Sequence, residues 1–172
     1  MGGSGISSDR PGGPGETGCR WVRLAIVLAA VIAVGGAGAF FTGLGVGDWY
    51  PTLRKPSWTP PPWVFGPAWT ALYLAMALAA WLVWSKPPIR GGLPLVLFAV
   101  QLLLNGAWSG IFFGLRRPDL AFGEIVVLWI AIGATAWTFS RVSRVAGWLM
   151  VPYLAWVTFA AALNLAVWRL NP

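Results

Sequence analysis

The sequence predicts an all-α integral membrane protein with a bundle of five transmembrane helices. Hydrophobic residues make up 58% of the 172-residue chain and charged residues only 10%, and the mean hydropathy is +0.70. A soluble domain carries roughly 25% charged residues, so the charge here is too sparse to cover a water-facing surface. Five apolar segments, each close to the ~20 residues that a membrane-spanning helix needs, supply the spans.

The chain divides into a tail and one membrane domain. Residues 1–20 are rich in Gly, Ser and Pro, which predicts a disordered N-terminal tail, and residues 21–172 form a single five-helix transmembrane domain. The Lys and Arg residues divide almost evenly between the two ends of the bundle, so the positive-inside rule fixes no orientation. The predicted spans are about Val22–Phe41, Trp63–Trp84, Leu93–Phe113, Phe122–Phe139 and Ala146–Trp168.

The first span has an alternative interpretation. Arg20 and Arg23 precede an apolar run, and Ala37-Gly38-Ala39 within that run resembles a signal-peptidase site. The run is long for a signal peptide, however, and a stripe of small residues favours close helix packing. We therefore expect a retained first helix, with cleavage as the alternative. Stripes of this kind are Gly35/Ala39/Gly43 and Ala71/Ala75/Ala79, which pack either within a subunit or between two copies.

Composition excludes several kinds of site. The chain has one cysteine, Cys19, and no histidine, so we expect no disulfide within the chain and no metal centre or bound cofactor that depends on imidazole. The net charge of +7 comes from Lys and Arg in dispersed loops. This pattern favours contact with anionic lipid headgroups over nucleic acid, which would require a basic stripe.

The second helix has a proline-rich start. In the longest connection, GVGDWYPTLRKPSWTPP, Thr59 is placed to cap the helix and Pro60 to occupy its first position, where a missing N–H costs nothing. The prolines that follow predict a rigid start that holds the loop in place. Trp58 and Trp63 lie near the interface, as belt tryptophans do.

Three of the predicted helices each present a tryptophan on one face. Two of these faces add amides, which are expensive at mid-membrane depth unless they turn inward. Such a face suits either a cavity for a flat apolar ligand with polar edges or a bundle core in which the amides bond helix to helix. The faces are Phe65, Trp69, Tyr73 and Met76; Gln101, Asn105, Trp108 and Phe112; and Pro152, Trp156, Ala160 and Asn164.

The stretches WYPTLRKPSWTPPPWVFGPAWTALY, QLLLNGAWSGIFFG and VPYLAWVTFAAALNLAVWRLN resemble the tryptophan-rich sensory protein / translocator protein family (TspO/MBR, the peripheral benzodiazepine receptor family). The likeness spans about Val22 to Asn171. It implies a five-helix membrane bundle, often dimeric, whose first loop covers a pocket. Family members bind porphyrins such as protoporphyrin IX, and some bind cholesterol or drug-like ligands. Bacterial members are linked to tetrapyrrole regulation and stress responses.

The resemblance also assigns roles to individual residues. Trp69 and Trp156 match the two pocket tryptophans that some members are reported to use in light-driven porphyrin breakdown. Other positions match the pocket and the covering loop, where Arg54 or Lys55 could donate to porphyrin propionates. The matching pocket residues are Asn105, Trp108, Phe112, Ala160 and Asn164, and the loop residues are Trp49, Tyr50 and Lys55.

These observations favour a receptor- or transporter-like protein that binds a tetrapyrrole. The predicted ligand-binding residues are Phe65, Trp69, Tyr73 and Gln101, together with the pocket and loop residues that match the family. The alternative is an enzyme that degrades porphyrin with light and oxygen, with Trp69 and Trp156 as the catalytic pair. A further alternative is a sterol or lipid binder or a structural partner protein. The run Leu163–Arg169 lacks the tyrosines of the family's cholesterol motif, which argues against sterol recognition.

Overall fold

Helices occupy all the predicted spans. The computed structural model describes residues 14–86 and 92–172. In these ranges five helices are long and apolar enough to cross a membrane, which confirms a multi-pass integral membrane protein. They are α1 Pro14–Val46, α2 Phe65–Trp84, α3 Leu93–Ser109, α4 Pro118–Val142 and α5 Arg144–Leu170, with 3₁₀ turns at Tyr50–Thr52 and Pro62–Val64 and a π-helical turn at Gly110–Gly114.

The first helix begins earlier than predicted. It starts at Pro14, so residues 14–20 of the predicted tail are helical, while residues 1–13 lie outside the described residues. Arg20 within this extension contacts the end of α2: the Trp81 indole donates to the Arg20 carbonyl at 3.1 Å, and the Arg20 guanidinium lies 5.4 Å from the Trp81 ring centroid. The helix also continues through Ala37–Ala39, and Gly38 is buried against α3.

The predicted start of α2 is wrong by several residues. The Thr59 hydroxyl donates to the Pro56 carbonyl at 2.7 Å, so it does not cap the helix. The 3₁₀ turn begins at Pro62 and α2 at Phe65. A residue that precedes proline is pushed out of the α-helical region, and Pro61 accordingly has an extended backbone with ψ 145°. The consecutive prolines therefore delay the helix.

The helices close into a ring in the order α1–α2–α5–α4–α3. The inner face of α2 carries Met76, Ala79 and Ala80, all with 0% exposure. The two alanines are small enough to let neighbouring backbones approach closely. A Cβ on Gly35 of α1 would lie 3.0 Å from the Tyr73 ring, so this small-residue position packs within the subunit. The candidate site lies at the end of the ring covered by the α1–α2 loop.

Candidate functional site

Two tryptophans from different helices meet inside the ring. The Trp69 ring of α2 and the Trp156 ring of α5 have centroids 6.5 Å apart at an interplanar angle of 84°. Phe65 lies edge-on to Trp156 at 5.9 Å, and Tyr73 packs on Trp69 at 5.5 Å. Four-residue steps along α2 place Phe65, Trp69 and Tyr73 on one face, so a continuous aromatic wall forms between α2 and α5.

The amides of α3 face inward, as predicted. The Tyr73 hydroxyl donates to Asn105 Oδ1 at 2.7 Å, which joins α2 to α3 beside the aromatic wall. Gln101, one turn earlier on the same face, has 0% exposure. Neither Gln101 side-chain atom has a hydrogen-bond partner among the described residues, so this amide retains unused bonding capacity.

A second polar link joins α3 to α5. The Trp108 indole donates to Asn164 Oδ1 at 3.0 Å, and Asn164 Nδ2 donates to the Pro118 carbonyl at the start of α4 at 2.7 Å. Trp108 also stacks on Phe112 with centroids 5.0 Å apart. Asn164 thus ties three helices together, which is the helix-to-helix bonding that the sequence left open as an alternative to ligand contact.

The predicted face of α5 is only partly correct. Asn164 is buried and Trp156 and Ala160 are half-buried, but Pro152 is exposed. An α-helix turns about 100° per residue, so each four-residue step rotates the stripe by about 40°. Over the three steps from Asn164 back to Pro152, this rotation moves the proline out of the interior.

The α1–α2 loop covers the aromatic cluster. The Trp49 and Tyr50 rings pack on Phe112 with centroids at 5.7 and 6.3 Å, and Tyr50 also contacts Phe113 at 5.6 Å. Burial raises the pKa of the Tyr50 phenol, so it stays neutral. The π-helical turn at Gly110–Gly114, a feature often found at functional sites, presents Phe112 to the loop.

The two basic residues of the loop have different roles. The Lys55 ammonium donates to the carbonyls of Tyr50 at 2.6 Å and Leu53 at 2.9 Å, and it lies 4.7 Å from the Tyr50 ring centroid. Lys55 therefore stabilises the conformation of its own loop. Arg54 is exposed, and the described salt bridges belong to other arginines, so Arg54 is the loop cation available to an anionic group.

A side chain near the C-terminus fastens this loop. Asn171 Oδ1 accepts from the Arg54 N–H at 2.9 Å, while Asn171 Nδ2 donates to the Arg54 carbonyl at 2.9 Å and to the Val167 carbonyl at 2.8 Å. The two hydrogen bonds between the Asn171 amide and the Arg54 backbone resemble a hydrogen-bonded residue pair of a β-sheet, with a side-chain amide in place of one strand. We call this contact the loop clasp.

An exposed ion pair adds a second attachment. Arg116 donates to Asp48 at 2.8 Å and thereby links the end of α1 to the turn before α4. A hydrogen bond from the Trp49 N–H and the charge of Arg116 hold the pKa of the Asp48 carboxyl below its usual range. Because both side chains are exposed, salt and water screen this pair.

Two open surface concavities, of about 280 and 310 Å³, are lined by residues of α4 and α5. None of the predicted ligand-binding residues lines either one. The predicted aromatic residues instead contact one another ring to ring. The residues that line the first groove are Phe122, Val126, Trp129, Thr158, Ala161, Ala162 and Leu165.

Sequence reasoning assigned no role to two residues that the structure brings to the site, or to one acid on α4 whose carboxyl oxygens are buried. Asn171 forms the loop clasp, and its partner lies 117 positions away, beyond the reach of any helical spacing. Tyr153 is fully buried with its ring 6.3 Å from that of Trp69. Glu124 has both carboxyl oxygens buried on α4, and a lone acid in an apolar span was the signal that could have identified it.

A comparison with known proteins decides the family. The model of the TspO/MBR family matches residues 25–169.

The chain belongs to the TspO/MBR family. It is 46% identical over 155 residues to the tryptophan-rich protein TspO of Chlorobaculum tepidum, with 88% of this chain and 97% of that protein covered. It is 41% identical to the tryptophan-rich sensory protein of Cereibacter sphaeroides, with 88% and 92% covered. It is 40% identical to the human translocator protein, with 88% and 91% covered. Relatives from bacteria and mammals therefore span nearly the whole membrane domain.

The described residues of this TspO/MBR protein contain no group of three or more His, Cys, Asp or Glu side chains placed to hold a metal ion. The chemistry available at the candidate site is that of aromatic rings, amides and phenols. These groups stack and form hydrogen bonds, which suits recognition of a flat conjugated molecule.

Proposed function

We propose that this protein binds a tetrapyrrole of the protoporphyrin type among the aromatic side chains at the loop-covered end of the bundle. The observation that carries the proposal is the contact between Trp69 and Trp156, two large rings from separate helices with centroids 6.5 Å apart. Rings of this size provide stacking faces for a planar macrocycle, and each favourable aromatic pair adds about 0.5–1.5 kcal/mol beyond its buried area.

The polar part of the ligand would lie toward the loop. A porphyrin carries two propionates, and Arg54 has an exposed guanidinium able to form charge-assisted hydrogen bonds with them. The Lys55 ammonium is bonded to carbonyls of its own loop, so it is the weaker candidate. The chain has no histidine, the usual axial ligand of haem iron in globins and peroxidases, which favours the metal-free porphyrin.

Binding would require the rings to separate. Trp69, Trp156 and their neighbours fill the site by contacting one another, and the loop packs over Phe112. A macrocycle would therefore enter as the loop lifts and the rings part, in the manner of other ligand-gated lids. The loop clasp at Asn171 is the contact that this movement must break.

A titration in the dark tests the proposal. Protoporphyrin IX is added to the purified protein while tryptophan fluorescence and porphyrin absorption are followed. We expect saturable quenching. Trp69→Ala should weaken the affinity about two- to twelvefold, the equivalent of about 0.5–1.5 kcal/mol. Trp137→Ala is the matched control, because Trp137 is 61% exposed on the outer face of α4. Quenching that never saturates, or equal losses in both variants, would contradict the proposal.

Light distinguishes the second candidate function, porphyrin degradation. The specific observation in its favour is the same Trp69–Trp156 contact, because adjacent rings can pass an electron between them. Illumination of the complex in air should then remove the porphyrin absorption band, and Trp69→Phe or Trp156→Phe should stop that loss while most binding remains. A stable porphyrin band in the wild type under light would leave binding as the function.

A further inference from the structure

A groove between α4 and α5 lies at the end of the bundle opposite the loop-covered site. The α1–α2 loop is fastened where α5 ends, whereas the groove lies where α4 ends at Val142 and α5 begins at Arg144. It has a volume of about 310 Å³ and is independent of the tetrapyrrole proposal. The residues that line it are Ala136, Ser140, Arg144, Gly147, Trp148 and Val151.

The two helices meet closely along this groove. Gly147 of α5 is buried, and a Cβ on it would lie 2.6 Å from the Cβ of Ser140 on α4, so no large side chain fills the space at the point of contact. Trp148 and Val151 of α5 remain 73% and 44% exposed beside it, and Ala136 of α4 adds only a methyl group. Below the polar end, the groove therefore has apolar walls like those of a hydrocarbon chain in the bilayer.

One end of the groove carries positive charge. Arg144 lines the groove, and Arg141 lies just before it, across the connection at Ser143. Both arginines are exposed. The salt bridges in the described ranges belong to Arg116 and Arg117 at the other end of the bundle, so within those ranges neither Arg141 nor Arg144 has an acidic partner. An anionic group is the partner that this charge complements.

Tryptophans place this charge at the level of the lipid headgroups. Trp137 of α4 and Trp148 of α5 lie close to the connection and are 61% and 73% exposed, as belt tryptophans are. The Arg141 guanidinium lies 5.1 Å from the Trp137 ring centroid. The Ser140 hydroxyl donates to the Trp137 carbonyl at 2.7 Å, which leaves the Arg144 guanidinium and the Trp148 indole as the side-chain donors that line the groove.

We propose that this groove binds one anionic phospholipid of the surrounding membrane. The lipid phosphate accepts hydrogen bonds from the Arg144 guanidinium, whose planar fork matches phosphate oxygens, and Arg141 adds attraction at the same level. One acyl chain lies along the groove toward Val151, which is about 10 Å from Arg144 along α5 and so within one leaflet of a ~30 Å hydrocarbon core. A zwitterionic lipid carries a cation of its own, which the two arginines repel.

A second copy of the chain fits this face less well than a lipid does. Copies that insert with the same orientation are related by a two-fold axis along the membrane normal, and such an interface uses the same surface patch on both subunits. It would bring Arg141 and Arg144 of both copies to one level. Juxtaposed like charges are costly at an interface, so the charge of the groove favours an anionic lipid over self-association.

The test uses the full chain purified in detergent and stripped of lipid. Native mass spectrometry follows the binding of palmitoyl-oleoyl phosphatidylglycerol and, separately, of phosphatidylcholine with the same acyl chains. We expect the wild type to bind phosphatidylglycerol more tightly than phosphatidylcholine. Arg144→Gln should weaken phosphatidylglycerol binding about fivefold, the effect of one basic residue at an anionic membrane surface. Arg169→Gln is the matched control, because it removes the same charge from an exposed position at the other end of α5.

A second pair of variants tests the place of the acyl chain. Val151→Phe enlarges an exposed side chain that lines the groove and leaves both arginines unchanged. It should weaken phosphatidylglycerol binding several-fold, because the larger ring occupies the space of the chain. Val145→Phe is its control, since Val145 is 60% exposed on the same helix and does not line the groove.

Several results would overturn the proposal. Equal affinities of the wild type for the two lipids, or equal losses in Arg144→Gln and Arg169→Gln, would show that no headgroup site exists at the groove. Unchanged phosphatidylglycerol binding in Val151→Phe would remove the acyl chain from the groove. A wild-type dimer that Val151→Phe dissociates would assign this face to a second copy of the chain instead of a lipid.

Discussion

Replacing Asn171 by alanine is expected to release the α1–α2 loop from the end of α5. The wild-type amide accepts from the Arg54 N–H and donates to the Arg54 carbonyl, both at 2.9 Å. A third hydrogen bond, from the Asn171 amide to the Val167 carbonyl at 2.8 Å, orients the amide toward the Arg54 backbone. Alanine removes all three bonds without disturbing the helical backbone, so the change isolates the loop clasp.

The free energy that the loop clasp contributes follows from the two hydrogen bonds that join the loop to the end of α5. A hydrogen bond contributes about 0.5–1.5 kcal/mol net, and an exposed one lies in the lower half of that range, so the clasp is worth about 1–2 kcal/mol. This corresponds to about a 5- to 30-fold increase in the equilibrium constant for loop opening. The packing of Trp49 on Phe112 and the Asp48–Arg116 pair remain, so the bundle should stay folded.

Amide hydrogen exchange measured by mass spectrometry checks this prediction. Exchange of the segment 48–60 should accelerate about 5- to 30-fold in Asn171→Ala, while a segment from the middle of α3 exchanges as in the wild type. Asn171→Asp keeps the oxygen that accepts from Arg54 but loses the donor, and should give an intermediate rate. If the loop of Asn171→Ala exchanges within about twofold of the wild type, the clasp does not hold the loop and the reasoning is wrong.

Three further predictions concern the bundle and the ion pair. Asn164→Leu leaves the Trp108 indole N–H and the Pro118 carbonyl without partners, so it should lower the free energy of unfolding by about 1–3 kcal/mol. A thermal melt in detergent measures this loss, and an unchanged melting temperature would mean that water replaces both bonds. A Cβ on Gly147 would lie 2.6 Å from the Cβ of Ser140 on α4, so Gly147→Ala should lower the free energy of unfolding by about 1–3 kcal/mol. Gly133→Ala is the control, because a Cβ there has nothing within 4 Å and should be neutral or slightly stabilising. Equal melting temperatures for the two variants would refute the close approach. The pKa of Asp48 is lowered in the folded protein, so its contribution to stability is present at neutral pH and is lost as the pH falls through the acidic range. The stability difference between wild type and Asp48→Asn should therefore vanish in acid. A difference that does not depend on pH would contradict the ion pair.

The bilayer makes much of the fold readable from sequence. Backbone groups in hydrocarbon must be bonded internally, so apolar segments of about 20 residues form helices, and all the predicted spans are helical. The same rule turned Gln101 and Asn105 inward, because amides facing lipid are costly. Two sequence predictions were wrong in detail. Arg20, which was predicted to lie in the disordered tail, is helical and contacts Trp81 of α2, and the twist of α5 exposes Pro152.

The sequence by itself determined the class of protein, the spans and the aromatic and amide faces, because hydropathy and helical periodicity are local properties. Only the tertiary structure decided which faces meet: Trp69 with Trp156, Trp108 with Asn164, and Asn171 with the backbone of Arg54. It also showed that Lys55 is bonded within its own loop and that the carboxyl oxygens of Glu124 are buried. These outcomes depend on the ring order of the helices, in which residues distant along the chain become neighbours, and no spacing rule encodes that order.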